Sequence, residues 1–195
     1  AGMENGFFEN RVIEKGDFSN IPLKKGEYEN CRFVGCNFNN ADLAEIIFTD
    51  CLFSGCNLSL ANLTKTAIRN TKFDGCKMLG LNFENCNKFG LSLGFENCQL
   101  NHASFYQIQL KNTVFRSCQL QETDFTESNL TDSLFDECDL YRAVFNQSNL
   151  EKVDFRTSKN YAIDPENNRI KRAKFSYPEV LGQKNKYDIE TDRLE

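Results

Sequence analysis

An apolar residue recurs at every fifth position through Phe18, Leu23, Tyr28, Phe33, Phe38, Leu43, Phe48, Phe53, Leu58, Leu63, Ile68, Phe73, Met78 and Phe83. After a break the rhythm resumes through Phe95, Leu100, Phe105, Leu110, Phe115, Leu120, Phe125, Leu130, Phe135, Leu140, Phe145, Leu150 and Phe155, alternating Phe with Leu throughout. Two residues before most of these centres the chain carries a small side chain, as at Cys36, Ala41, Cys56, Ala61, Thr71, Ala103, Thr123 and Ser133. A period of five fits neither the 3.6 of a helix nor the 2.0 of a flat strand. It describes a chain that runs extended briefly, turns a corner and repeats, with one large and one small residue facing inward in each unit.

Similarity at a longer spacing counts the corners. Residues 29–38 (ENCRFVGCNF), 49–58 (TDCLFSGCNL) and 69–78 (RNTKFDGCKM) resemble one another twenty residues apart, which is four units and hence a square coil. Stacked as parallel strands ~4.8 Å apart, the repeat makes a rod of about seven coils and roughly 34 Å. Each coil buries its Phe/Leu layer only against its neighbours, so both ends need caps. The expected organisation is an N-terminal segment and cap over residues 1–17, a quadrilateral parallel β-helix over 18–175, and a C-terminal helix and tail over 176–195. Ala1 and Gly2, ahead of Met3, read as an expression leftover.

The expected core is Phe33, Phe53, Phe73, Phe83, Phe89, Phe95, Phe105, Phe115, Phe125, Phe135, Phe145 and Phe155. Phe89 enters because twelve residues separate Phe83 from Phe95 where ten are expected. Placing Phe89 inward divides the segment 84–94 into two units, each with a one-residue bulge; an extruded loop is the alternative. The bulged count also aligns Cys36, Cys56, Cys76, Cys98, Cys118 and Cys138 on one face as a thiol column. Upstream, the alternation from Phe7 to Ile13 suggests an opening strand. Downstream, Ser176, Pro178 and Glu179 form a capping-box pattern for a short helix, whose Tyr177, Val180 and Leu181 would cover the last layer before Gly182.

Nine Cys in a chain without a secretory signal read as small buried packing residues rather than disulfides. Their C-x4-C spacing, inward and without a His partner, does not suit zinc. The one histidine, His102, falls just past Leu100 and faces solvent. No phosphate loop, nucleophile elbow or metal-ligand cluster appears, so neither catalysis nor a cofactor is expected. A net charge of −5 argues against direct nucleic-acid binding. The chain has no apolar run long enough to span a membrane, and a soluble cytoplasmic protein is expected. Charge is uneven: residues 121–155 hold nine acids against Arg142 and Lys152, a local net charge of −7. Glu122, Asp124, Glu127, Asp132, Asp136, Glu137 and Asp139 in this stretch form a candidate acidic belt for a basic partner groove, with ordinary surface solvation as the alternative. The stretch beyond is basic, with Arg156, Lys159, Arg169, Lys171, Arg172 and Lys174.

Units such as Ala41-Asp42-Leu43 and Ala61-Asn62-Leu63 resemble the consensus of the pentapeptide-repeat family over roughly residues 18–175. That resemblance implies a right-handed quadrilateral β-helix. The segments 87–98 (NKFGLSLGFENC) and 163–170 (IDPENNRI) resemble more narrowly the branch of the microcin B17 immunity protein and the plasmid quinolone-resistance proteins. It implies a non-catalytic protein that binds DNA gyrase and topoisomerase IV and relieves their poisoning by toxins or quinolones, with DNA mimicry as a mode. The alternative is a structural or interaction scaffold with another protein partner, since a fold does not dictate function. The register leaves no room for the longer loops of the resistance proteins. A homodimer through the terminal helix is an open alternative, because Gln183, Lys184, Asn185 and Lys186 make that helix polar.

Overall fold

The computed structural model describes residues 5–177 and 189–193. The chain is an all-strand, right-handed parallel β-solenoid of about nine turns. Its strands are β1 (Gly6–Glu9), β2 (Val12–Glu14), β3 (Gly26–Glu29), β4 (Arg32–Val34), β5 (Ile47–Thr49), β6 (Leu52–Ser54), β7 (Ala67–Arg69), β8 (Thr71–Asp74), β9 (Leu93–Glu96), β10 (Val114–Arg116), β11 (Leu134–Asp136), β12 (Lys174–Tyr177) and β13 (Glu190–Arg193). Four faces follow one another around each coil. Face A carries β1, β3, β5 and β7, paired in that order, and face B carries β2, β4, β6, β8, β9, β10 and β11. Face C, with the thiol column, and face D, with Phe83, Phe105, Phe125 and Phe145, are joined coil to coil by single bridges such as Asn37↔Asn57 and Asp124↔Val144.

The core is a set of ring ladders. On face B, Phe33, Phe53, Phe73, Phe95, Phe115, Phe135, Phe155 and Phe175 stack with centroids 4.7–5.4 Å apart. On face D, Phe83, Phe105, Phe125 and Phe145 stack at 4.6–5.3 Å. The alternation of Phe with Leu in the second run thus puts aromatics on two opposite walls and leucines on the other two. Rings of the two walls meet edge to face, as Phe115 and Phe125 do at 5.8 Å, the arrangement the ring quadrupole favours. All expected core phenylalanines except Phe89 are buried.

Corners have a fixed conformation. The residue two past most core centres takes a left-handed φ, between 44° and 65° at the non-glycine positions, among them Asn30, Asn40, Asp50, Asn70 and Asn112. Asn, Asp and Gly tolerate that region best. On faces A, C and D many of the residues before a centre supply a second device: the side-chain oxygen accepts the backbone N–H two residues on, as Asn37 does from Asn39, Asp42 from Ala44 and Asn129 from Thr131. These Asx turns explain why the unit reads Ala-Asp/Asn-Leu.

The segment 84–94 departs from the expected geometry. Ala67 bridges Asn87 at the normal spacing of twenty, whereas Thr71 pairs with Leu93 at twenty-two. Both extra residues therefore fall between Asn87 and Leu93, in one unit, instead of one in each of two. Phe89 does not enter the core but stands 79% exposed, its ring under the Arg69 guanidinium at 5.7 Å. Leu91 packs against the core in its place. Gly90 turns the insertion at φ +67°. The unit count is unchanged, which is why the thiol column still aligns.

The ends also differ from expectation. β1 and β2 pair with β3 and β4 at a spacing of twenty, so the N-terminal segment is itself a coil, with Phe8 stacked on Tyr28 at 4.7 Å. At the other end Ser176 and Tyr177 belong to β12 rather than opening a helix, and β13 pairs parallel to β12. Ile189 is buried there. The rest of the expected helix, with Pro178, Glu179, Val180, Leu181 and Gly182, lies outside the described residues, as do Gln183, Lys184, Asn185 and Lys186.

Candidate functional site

All nine cysteines are free and buried. The column thiols donate to carbonyls of the preceding coil, Cys56 to Phe33 at 3.2 Å, Cys76 to Phe53 at 3.3 Å and Cys138 to Phe115 at 3.2 Å. Outside the column, burial pushes Cys51 up to about 12 and Cys86 up to about 11, so these two thiols stay protonated and unreactive. Among the described residues no group of three or more His, Cys, Asp or Glu could hold a metal ion, and no helix is long and apolar enough to cross a membrane. A depression of about 370 Å³ on face B lies over Gly94, bordered by Lys72, Asp74, Glu96 and Val114. The outer surface of the rod is where function must be sought.

The acidic belt is not one patch. Glu122, Glu127, Asp132 and Glu137 sit at four successive corners, each with a left-handed φ, and so point four ways. Asp136 lies on face B and accepts from Arg116 at 3.0 Å; the Arg116 and Thr157 hydrogen bonds hold its carboxyl below the usual range. Asp139 lies on face C, where Gln121 and Asn160 donate to it. Glu122 is held between His102 at 3.0 Å and Arg142 at 3.8 Å. Of the seven, Asp124 and Glu127 share face D, Asp136 and Glu137 share face B, and the other three lie on faces A and C or their corners. The local charge of −7 is a property of the sequence window, because any thirty-five residues wrap the rod almost twice.

Reading by face instead of by sequence shows another feature. From Asn82 to Asn167 the outward positions of face D carry Glu84, Asp124, Glu127, Asp164 and Glu166, and no Lys or Arg. Neutral neighbours order several of these acids: Ser104 donates to Glu84 at 2.9 Å and Gln107 to Glu127 at 3.3 Å, while a hydrogen bond to Glu127 raises the Tyr106 hydroxyl. The basic residues collect elsewhere, Arg169, Lys171 and Arg172 on face A or its corner and Arg156 and Lys174 on face B. Counting outward residues twenty apart would have revealed this; a contiguous window could not.

The family profile described as "Pentapeptide repeat region" matches residues 21–88 and 91–161. The chain belongs to the pentapeptide-repeat family. The two matches break at Phe89 and Gly90, the tip of the insertion. Among solved structures the chain is similar to full-length QnrB1, a plasmid-mediated fluoroquinolone resistance protein, with a TM-score of 0.56 and 15% identity over 93% of this chain and 99% of that one. It is similar also to HetL, a pentapeptide-repeat protein involved in heterocyst differentiation regulation in Nostoc sp. strain PCC 7120, with a TM-score of 0.39 and 15% identity over 86% of each chain. No curated protein sequence matches at a significant level.

Proposed function

We propose that this pentapeptide-repeat protein is a non-catalytic binding rod whose acidic face D engages a basic, DNA-binding surface of a type II topoisomerase and so protects that enzyme from quinolones or toxins. The observation that carries the reading is that Glu84, Asp124, Glu127, Asp164 and Glu166 share one wall that bears no Lys or Arg between Asn82 and Asn167. A wall of one charge sign steers a basic partner and fixes its register more than it adds raw affinity. The shared solenoid with QnrB1 supports the fold on which such a wall is built.

The test is a gyrase supercoiling assay with and without a quinolone, adding the purified protein. Restored supercoiling in the presence of the drug is expected. No effect, together with no binding to gyrase at micromolar protein, would leave a scaffold with another partner as the function. That second reading draws on the internal pairing of Glu122, Asp136 and Asp139, which occupies belt acids with the rod's own residues.

A further inference from the structure

Arg69 is the outward residue of face A over which the insertion folds. Other arginines of the rod find carboxylates, Arg116 with Asp136 at 3.0 Å, Arg156 with Asp154 at 2.9 Å and Arg169 with Glu151 at 3.3 Å. Among the described residues Arg69 has none, and its Nε is buried without a hydrogen-bond partner. A buried donor left without an acceptor works against the fold. This one sits under the unit that the chain lengthens. The Phe89 ring lies against the guanidinium, with its centroid 5.7 Å from Cζ. Phe89 is also the most exposed large apolar side chain of the described residues, at 79%, so the other face of the ring is open. Gly90, at φ +67°, closes the turn on the cation, and a Cβ there would stand 3.4 Å from Nε. A site that breaks the local rule of the repeat and leaves a polar group unsatisfied is a place to look for function.

Charge around this bracket has one sign. Between its corners, face A from Ile47 to Asn149 carries Arg69, Lys88 and Lys111 and no Asp or Glu. Lys88 stands at the foot of the insertion, and Lys111 lies in the outward column one coil beyond it. An arginine fork without an acceptor, flanked by lysines, suits a phosphate, because a dianion draws on several cations where a carboxylate is served by one. A ring with a cation on one face and solvent on the other suits a second planar ring.

We propose that Arg69, Phe89 and the turn at Gly90 form a binding site for a small ligand that joins a phosphate to an aromatic ring, a mononucleotide being the simplest. The phosphate takes the Arg69 fork, with Lys88 and Lys111 adding to the field, and the base stacks on the open face of Phe89. One phosphate does not need the long array of cations that a nucleic-acid strand requires, so the acidic balance of the chain is no obstacle. The site lies on a different wall from the acids of face D and is independent of the topoisomerase reading.

The test uses the full chain, labelled for amide NMR, and three probes: adenosine monophosphate, adenosine and inorganic phosphate. Adenosine monophosphate should shift the amides of Arg69, Phe89 and Gly90 and bind about tenfold more tightly than either half alone. Arg69→Met keeps a long side chain beside Phe89 and removes every donor. It should melt near the parent and bind the nucleotide no better than adenosine. Phe89→Ser should bind the nucleotide no better than phosphate, and it carries the test if Arg69→Met loses the fold, since the Phe89 ring lies outside the core. Equal binding of nucleotide and adenosine by the parent, or undiminished nucleotide affinity in both variants, overturns the proposal. So does the absence of shifts around the insertion with all three probes. Affinity that climbs steeply from the mononucleotide to an oligothymidylate would make the occupant a nucleic-acid strand, and overturns it as well.

Discussion

At the scale of single residues, position alone does not decide which way a side chain points. Phe89 has the composition of a core residue and lies midway between two core residues, yet it is outside, and Leu91 packs inward. Phe89→Ser should therefore change stability by no more than about 0.5 kcal/mol. Leu91→Ala should cost about 1–2 kcal/mol, less than a fully buried leucine because its site is half open. Denaturant midpoints of the two variants check the assignment, and a large loss for Phe89→Ser would reverse it. The buried thiols and Tyr28 give a second residue-scale expectation. Burial lifts Cys51 and Tyr28 to about 12 and Cys86 to about 11, whereas in the unfolded chain Cys titrates near ~8.5 and Tyr near ~10. The unfolded state loses these protons first, so their contribution is complete below about pH 8.5 and declines as pH rises through the window to about 12. Above that threshold the denaturant midpoint should fall less steeply when both Cys51 and Cys86 are replaced with Ala than in the parent.

At the scale of the five-residue unit, stability comes from a turn device as well as from the core. Asn129 accepts from the Thr131 N–H at 3.1 Å and its hydroxyl at 2.7 Å, and donates to Gln109 on the preceding coil at 3.1 Å. Asn129→Ala should cost about 1 kcal/mol although the residue touches none of the core, while Asn129→Asp should keep most of the stability; thermal melts of the pair separate turn closure from packing. The sequence showed the inward half of each unit plainly, since Phe, Leu and Cys recur at fixed places and burial leaves little choice there. The outward half was written in the same letters, in the Asp and Asn before many centres and the left-handed residue after most of them, but these carry no hydrophobic period and pass for ordinary surface. The insertion was legible in length and illegible in place. Two extra residues were certain from the distance between Phe83 and Phe95, but only the pairings of Asn87 with Ala67 and of Leu93 with Thr71 decide that they share one corner.

At the scale of the whole molecule, a solenoid turns sequence neighbours away from one another and brings residues twenty apart together, so charge must be counted by wall. This separates two explanations of any partner binding. If local charge density along the chain were the determinant, neutralising Glu122, Asp132, Asp136, Glu137 and Asp139 would weaken binding most. If a single wall is the contact, the loss should follow Glu84, Asp124, Glu127, Asp164 and Glu166. Glu84→Gln with Asp124→Asn and Glu127→Gln removes three charges from one face; Asp132→Asn with Glu137→Gln and Asp139→Asn removes the same number from three directions. Because Asp124 and Asp139 also close turns through an oxygen that Asn keeps, and exposed charges contribute little to stability, both triple variants should melt near the parent. The face D variant should associate with gyrase several-fold more slowly and with a weaker dependence on salt, since steering by a charged wall acts on the encounter rate and is screened beyond about 10 Å at 0.1 M salt. The dispersed variant should bind like the parent. Equal losses in the two variants would show that net charge alone governs association, and the wall would then have no special part in recognition.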